Sequence, residues 1–369
     1  MLVRWLLEPD SRDFPLSALR VCTALTGSEY RSTHAAVRRF AAPLLARHGV
    51  RWTQVARASQ AGGHVVMADS RRPTELVRRG PWALIDELSA SGTVPSVVGA
   101  RLCSLHAKAE ALQPYIDGFT AGAPYEHAMG YAIGEERRSD RDRGLGGPLR
   151  TGLYPLQVWN WRRSDALTYL RDTFDIDWPR SCCTFCPYQL GSRAGRADLV
   201  DRWSAEPTAG AEAVLVEYAA LALNPRALLG KTVGAAQLAR EHDLEHVLAM
   251  AGEVVAHTEH VLVDVRRIFP ARHVKELGRA DPARKGPPRR SVRRLRTGGR
   301  TELEALLRRS CRRHNLDVGV DEHGITRAWV RRHEAPYPSV ERFLVVAPAT
   351  VNTKVPAGFE EAWQRHHAR

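Results

Sequence analysis

The sequence predicts an α/β protein: a parallel sheet flanked by helices, followed by a helical region and a small α+β C-terminal unit. Two features carry this expectation. Over residues 19–58 a strand pattern, an amphipathic helix and a second strand follow one another, the order that places two strands in parallel with a helix on one face. From about residue 191 the pattern turns mostly helical, then gives way to a strand, a basic stretch and a mixed helix–strand end.

Residues 2–7 read as the end of a helix, and residues 19–24 (LRVCTA) as an apolar strand that stops at Thr26-Gly27. Residues 30–48 place Ala36, Val37, Phe40, Leu44 and Leu45 at helical spacing, and residues 51–58 (RWTQVARA) read as the next strand. Residues 130–133 and 154–156 are short strand candidates, with a charged, glycine-rich loop, EERRSDRDRGLGGP, between them. Residues 164–174 put Leu167, Leu170 and Phe174 on one helical face, with Ser164 as cap. Helices are expected over 211–223 and 244–255, then a strand, HVLVDVRRIF. Residues 280–300 are rich in proline, glycine and arginine and read as a linker or mobile basic loop. A helix from Thr301 and strands around Asp321–Gly324 complete the chain, which has no internal repeat.

The 369 residues suffice for two domains, and no apolar run approaches the roughly 20 residues of a membrane span. The opening MLVRWLLEPDSRDF is too short in its apolar part and too quickly acidic for a signal peptide, so a cytoplasmic location is expected, with no membrane partner. The net charge of +13, mainly arginine, suits polyanionic partners, nucleic acid or nucleotide phosphates; a generally arginine-rich proteome would produce it equally well.

Cysteine is scarce but clustered. Cys183 and Cys186 form C-x-x-C beside Cys182, and Cys103 lies in a second segment, RLCSLHAK. In a reducing compartment such a cluster points to metal or redox chemistry rather than a disulfide. Four thiolates suit zinc or an iron–sulfur cluster. Cys22, mid-strand, and Cys311, mid-helix, read as bystanders. Arg101 and Lys108 put cations around Cys103, which either lowers its pKa and prepares a phosphate or sulfate site, or is a solvated helix face. Thr26-Gly27-Ser28-Glu29 lies beyond a strand's carboxyl end, where parallel sheets bind ligands. Arg137, Arg138 and Arg141 beside Glu135 and Glu136 form a phosphate clamp or a salt-bridged loop. Leu229-Gly230-Lys231-Thr232 imitates the end of a phosphate loop, but Pro225 occupies the place of the required glycine and no strand precedes it.

In order, T-G-x-E (Thr26, Gly27, Glu29), R-x-C-S-x-x-x-K (Arg101, Cys103, Ser104, Lys108), G-x-x-x-G-E-x-x-R (Gly130, Gly134, Glu135, Arg138), Y-P-L-x-x-W-x-W (Tyr154–Leu156, Trp159, Trp161) and S-x-C-x-x-C-P-[FY] (Ser181, Cys183, Cys186, Pro187, Tyr188) follow one another. This series resembles the phosphoadenosine phosphosulfate (PAPS) reductase-like proteins of the adenine-nucleotide alpha-hydrolase (PP-loop) superfamily, over residues 1–190. The resemblance implies an adenine-nucleotide-binding domain over 1–190, N-terminally incomplete, then a mainly helical extension (191–279), the basic linker (280–300) and the small α+β unit (301–369). It implies ATP or adenylyl sulfate as ligand, held by Thr26, Gly27, Glu29, Arg101, Ser104, Lys108, Glu135 and Arg138. It implies an iron–sulfur or zinc centre on Cys103, Cys183 and Cys186, with Cys182, at a variable motif position, as the fourth ligand.

Family members open with a strand and an S-G-G-x-D-S loop that cradles phosphates; neither occurs here, and residues 1–7 read as the helix that would follow. Ala107 stands where an aromatic is usual, and the proline that commonly follows the lysine is missing. RRSCRRH around Cys311 does not resemble the C-terminal nucleophile motif of the true reductases. The expectation is therefore nucleotide binding in sulfur transfer or substrate adenylation, with no catalytic residue or oligomeric state assigned. Alternatively, the chain is a catalytically degenerate member that binds nucleic acid through residues 284–300.

Overall fold

The computed structural model describes residues 1–97, 101–274 and 278–367. The chain is a mixed α/β protein with several small sheets, and no large parallel sheet is evident among the described residues. It divides into two compact units: Met1–Leu84 with Val98–Thr184, and Ile85–Val97 with Phe185–Arg369.

In the first unit, β1 (Arg20–Leu25) and β2 (Arg51–Ser59) pair in parallel, Arg20 opposite Arg51 through Leu25 opposite Ala56. The connection is the expected helix, residues 31–47, which buries Ala36, Ala42, Leu44 and Leu45. Its middle, Val37–Ala41, is a π segment just ahead of Pro43. A proline lacks the amide that would bond four residues back, and a wide turn absorbs the mismatch. The second helical run, residues 102–120, repeats the device, with a π segment at Leu105–Ala109 ahead of Pro114. Leu6, Leu25, Leu45, Val50 and Trp52 form the core between sheet and helix.

The unforeseen strand is β3 (Gly62–Ser70), which returns antiparallel against β2. A separate parallel pair, β4 (Tyr125–Ala128) and β5 (Arg150–Leu153), lies later in the chain. Residues 130–133 are outside any strand, and 154–156 follow β5 rather than form it. The expected loop between them contains a helix, Glu136–Arg143, laced by Arg138–Glu135 and Arg143–Asp140 pairs three residues apart. The cap of the helix Arg163–Phe174 is Arg162, whose amide donates to Asp165 Oδ2 at 2.7 Å, not Ser164.

The second unit is built on five antiparallel strands in the order β10 (Asp317–Val320), β11 (Thr326–Arg331), β12 (Ser339–Pro348), β6 (His260–Phe269), β9 (Arg289–Gly298). Alternate residues of β6 and β12 enter two cores. Val261, Val263, Val265, Phe343 and Val345 cluster with Leu221 and Leu223 of the helix Pro207–Leu223. Leu262 and Val346 cluster with Leu303, Leu307 and Cys311 of the helix Arg300–Arg313. A strand buried on both faces explains the near-continuous apolar run HVLVDVRRIF.

This sheet corrects the expected boundaries. The stretch 280–300 is not a linker: a strand, β8 (Arg279–Lys285), pairs with β7 (Ala271–Val274), and β9 adds a full edge to the main sheet. Composition misled because an edge strand tolerates charge on its open side. The 191–279 and 301–369 segments share one sheet through β6 and β12, and the first unit closes at Thr184 rather than residue 190. No described helix is long and apolar enough to cross a membrane.

Asp69 on β3 clamps the first sheet, accepting from Arg51 Nε at 2.8 Å and Thr53 Oγ1 at 2.9 Å, with Arg20 at 3.6 Å. Hydrogen bonding from Arg51, then Thr53, with the Arg51 and Arg20 charges, lowers its pKa from 3.8 to about 2. Its contribution is fully present above the unfolded value of 3.8 and lost as pH falls through about 2. The stability gap between wild type and Asp69→Asn, measured by urea unfolding across the acid range, should therefore narrow below that window. A gap that widens on acidification would contradict the assignment.

Candidate functional site

Where β1 ends, Thr26-Gly27-Ser28-Glu29 folds back on itself. Thr26 Oγ1 donates to Glu29 Oε1 at 2.6 Å, and the Thr26 amide approaches the same oxygen at 3.3 Å. Gly27 has φ +76°, and a Cβ there would lie 2.7 Å from Ala83 Cβ, so both backbone and space require glycine. The Thr26 carbonyl accepts from the Leu84 amide at 2.9 Å.

Onto this turn docks the cysteine segment. Cys183 forms an isolated antiparallel bridge with Glu29, and the Thr184 amide donates to the Ser28 carbonyl at 2.9 Å. The Tyr30 hydroxyl donates to the Thr184 carbonyl at 3.4 Å, and Cys183 Sγ lies 3.4 Å from Thr26 Oγ1. Two motifs 157 positions apart thus meet. Around them Ser28 Oγ, Glu29 Oε2 and Thr33 Oγ1 are buried with no hydrogen-bond partner among the described residues. Unpaired buried polar atoms are costly, and three within six residues mark a place made for water or a ligand.

The four thiols do not converge as expected. Among the described residues, no group of three or more His, Cys, Asp or Glu side chains is placed to hold a metal ion. Cys183 turns its sulfur to Thr26, whereas Cys182 turns to the Arg180 carbonyl at 3.9 Å, as neighbours on extended backbone must. Cys186 begins the second unit's short helix Pro187–Leu190, and Cys103 lies half-buried in the turn Leu102–Ser104 just after Arg101. No disulfide joins any of the six cysteines. Cys311 is buried in the core of the second unit and Cys22 is half-buried in β1; burial pushes the Cys22 thiol up to about 11 and also raises Cys311.

Glu135 and Arg138 pair with each other, so they are not an open phosphate clamp. Glu135 Oε2 accepts from the Ala132 amide at 3.1 Å, and the Arg138 guanidinium sits 4.5 Å over the Tyr131 ring. Tyr131 stacks on Tyr154, and the Ile133 amide donates to the Trp161 carbonyl at 2.9 Å, which ties the third and fourth motifs together. Arg4 lies 4.5 Å over Trp159 and 4.6 Å over Trp161. These contacts pack the third and fourth motifs against one another and against Arg4.

Ser104 and Lys108 instead line a cavity of about 740 Å³ with His127, Asp142 and Arg150, three residues that no spacing in the sequence singled out. The rejected phosphate loop at 229–232 bends around the buried Glu217 carboxylate, to which the Leu229 amide donates at 2.7 Å. An anion of the protein's own occupies it. No family model, curated protein or solved structure matches the chain.

Gly27→Ala should cost left-handed strain plus the clash with Ala83, whereas Gly49→Ala, at φ +61° with nothing within 4 Å, should cost strain alone. Strain of this kind is of order 1–3 kcal/mol. Urea unfolding should therefore show the larger loss for Gly27→Ala; equal losses would mean that the turn is not held as described.

Proposed function

We propose that the chain is an adenine-nucleotide-binding protein of the PAPS reductase-like kind, a helix-flanked parallel-sheet fold that binds ligand beyond β1 and serves sulfur transfer or substrate adenylation. The observation that carries this reading is the meeting of Thr26–Glu29 with Cys183–Thr184 around three buried, unpartnered polar atoms. Glu29 Oε2 has acceptor capacity for a ribose hydroxyl or an exocyclic amine, and the Ser28 and Thr33 hydroxyls can donate to phosphate or sulfate oxygens. The Cys183 thiol beside them supplies a sulfur nucleophile. A four-thiolate iron–sulfur or zinc centre is not part of the reading, because the described side chains do not form one. No S-G-G-x-D-S stretch occurs in the chain, and the reading rests on binding rather than cleavage of a phosphate bond.

Equilibrium dialysis with ATP, ADP and adenylyl sulfate tests it. At least one should bind. Glu29→Gln and Thr26→Val should each weaken it roughly tenfold or more, the scale of a hydrogen bond to a charged group. With adenylyl sulfate labelled in its sulfate, the Cys183 thiolate would bond to sulfur as the S–O bond to phosphate breaks and AMP leaves, so Cys183→Ser should leave affinity intact while abolishing labelling of the protein. Failure of all three nucleotides to bind the wild-type chain refutes the reading.

A second reading, nucleic-acid binding by residues 284–300, is favoured by the exposed Arg289, Arg293 and Arg296 on the edge strand β9. Phosphate contacts release counterions, so retention on single-stranded DNA should fall steeply with salt, and each arginine replaced by alanine should reduce the log–log slope by about 0.7. A slope unchanged in the triple variant excludes β9 as the contact.

A further inference from the structure

The cavity of about 740 Å³ lies among the helical run 102–120, β4 and the segment ending in β5, and none of the Thr26–Cys183 constellation lines it. Its volume falls within the range of small-molecule pockets, roughly 300–1,000 Å³. Leu112, Ile116, Met129 and Leu149 give it apolar walls.

Its polar groups are unevenly matched. Asp142 has both carboxylate oxygens engaged, Oδ1 by Arg150 Nη2 at 2.7 Å and Oδ2 by the Tyr154 hydroxyl at 2.7 Å. Arg150 Nε also donates to His127 Nδ1 at 3.3 Å. A guanidinium has no acceptor, so Nδ1 must carry its lone pair and His127 is the neutral Nε2–H tautomer. Burial, and next the Arg150 charge, hold the His127 pKa below its ordinary value, consistent with that form. At the rim Asp117 accepts from Gln113 Nε2 at 2.8 Å. Lys108 is exposed, and its ammonium has no hydrogen bond or ion pair with any described residue. Among the nitrogen donors of the cavity wall, the Lys108 ammonium and the His127 imidazole N–H remain unspent, beside an Asp142 carboxylate already neutralised.

We propose that this cavity binds a small amphipathic anion, an apolar chain or ring carrying one carboxylate or phosphate, whose charged end meets Lys108 and the His127 Nε2–H. The inference is independent of the nucleotide reading.

Calorimetric titration of the full chain with octanoate, octyl phosphate and octanol tests it. One of the two anions should bind at one site per chain, at least tenfold more tightly than octanol, and the tighter one identifies the head group. Lys108→Met, at an exposed position where circular dichroism should show an unchanged fold, should weaken the anion roughly tenfold and leave octanol unaffected, the loss of one charge-assisted hydrogen bond. His127→Phe should act in the same direction. Equal affinity for octanol and the anions, anion affinity unchanged in Lys108→Met, or no binding of either anion at millimolar concentration would overturn the proposal.

Discussion

The first unit depends on how the turn after β1 is closed. Glu29 returns to the Thr26 hydroxyl and amide, Gly27 supplies the left-handed residue, and the rigid loop presents Ser28 and Glu29 to a distant extended segment. Without that closure Cys183 and Thr184 would have no bridge partner. The sulfur beside Thr26 is therefore a consequence of backbone pairing, not of any affinity among thiols.

Arginine explains much of the rest. Several of these cations that look like surface charge in the sequence are structural. In the second unit Arg267 is nearly buried, donating to Glu341 at 2.6 Å and to Asn224 at 2.8 Å, and Arg327 bonds Asp321 at 2.6 Å and the Leu221 carbonyl at 2.8 Å. Arg290 reaches the Ser91 and Gly92 carbonyls, and burial lowers its pKa to about 10. A planar fork of donors satisfies carboxylates and helix-end carbonyls together, which a lysine does less well. Breaking such a pair strands a buried charge, so these contacts specify the arrangement more than they stabilise it. The net charge is accordingly a poor guide to partners.

Much of the local structure was legible. The strand at 20–25, the helix over 31–47, the strand at 51–59 and the doubly buried β6 stand close to where periodicity places them, because burial imposes a period of 2 or 3.6 on the residues themselves. The edge strand β9 was illegible, since its arginines find their partners at distant backbone and side-chain groups, such as Ser91, Gly92 and Ala357, rather than through an apolar period. The helix at 136–143 was also missed: its evidence is a ladder of ion pairs and two small buried polar residues, Ser139 and Asp142, not an apolar stripe. Within the site, Thr26, Gly27, Glu29 and Cys183 were picked out by motif, but Ser28, Thr33, His127 and Arg150 were not, since their significance lies in which partner atoms they lack or share.

By itself the amino-acid sequence determined the alternation of strands and helices, the glycine at 27 and the absence of a phosphate loop within the chain. Each follows from short-range patterning, local geometry or burial that one segment can encode. Only the tertiary structure decided that Cys183 meets Thr26, that 280–300 joins a sheet, and that Lys108 lines a cavity with His127. Those outcomes rest on pairings between residues far apart in the chain, and no local period carries information about which distant edge a segment will find.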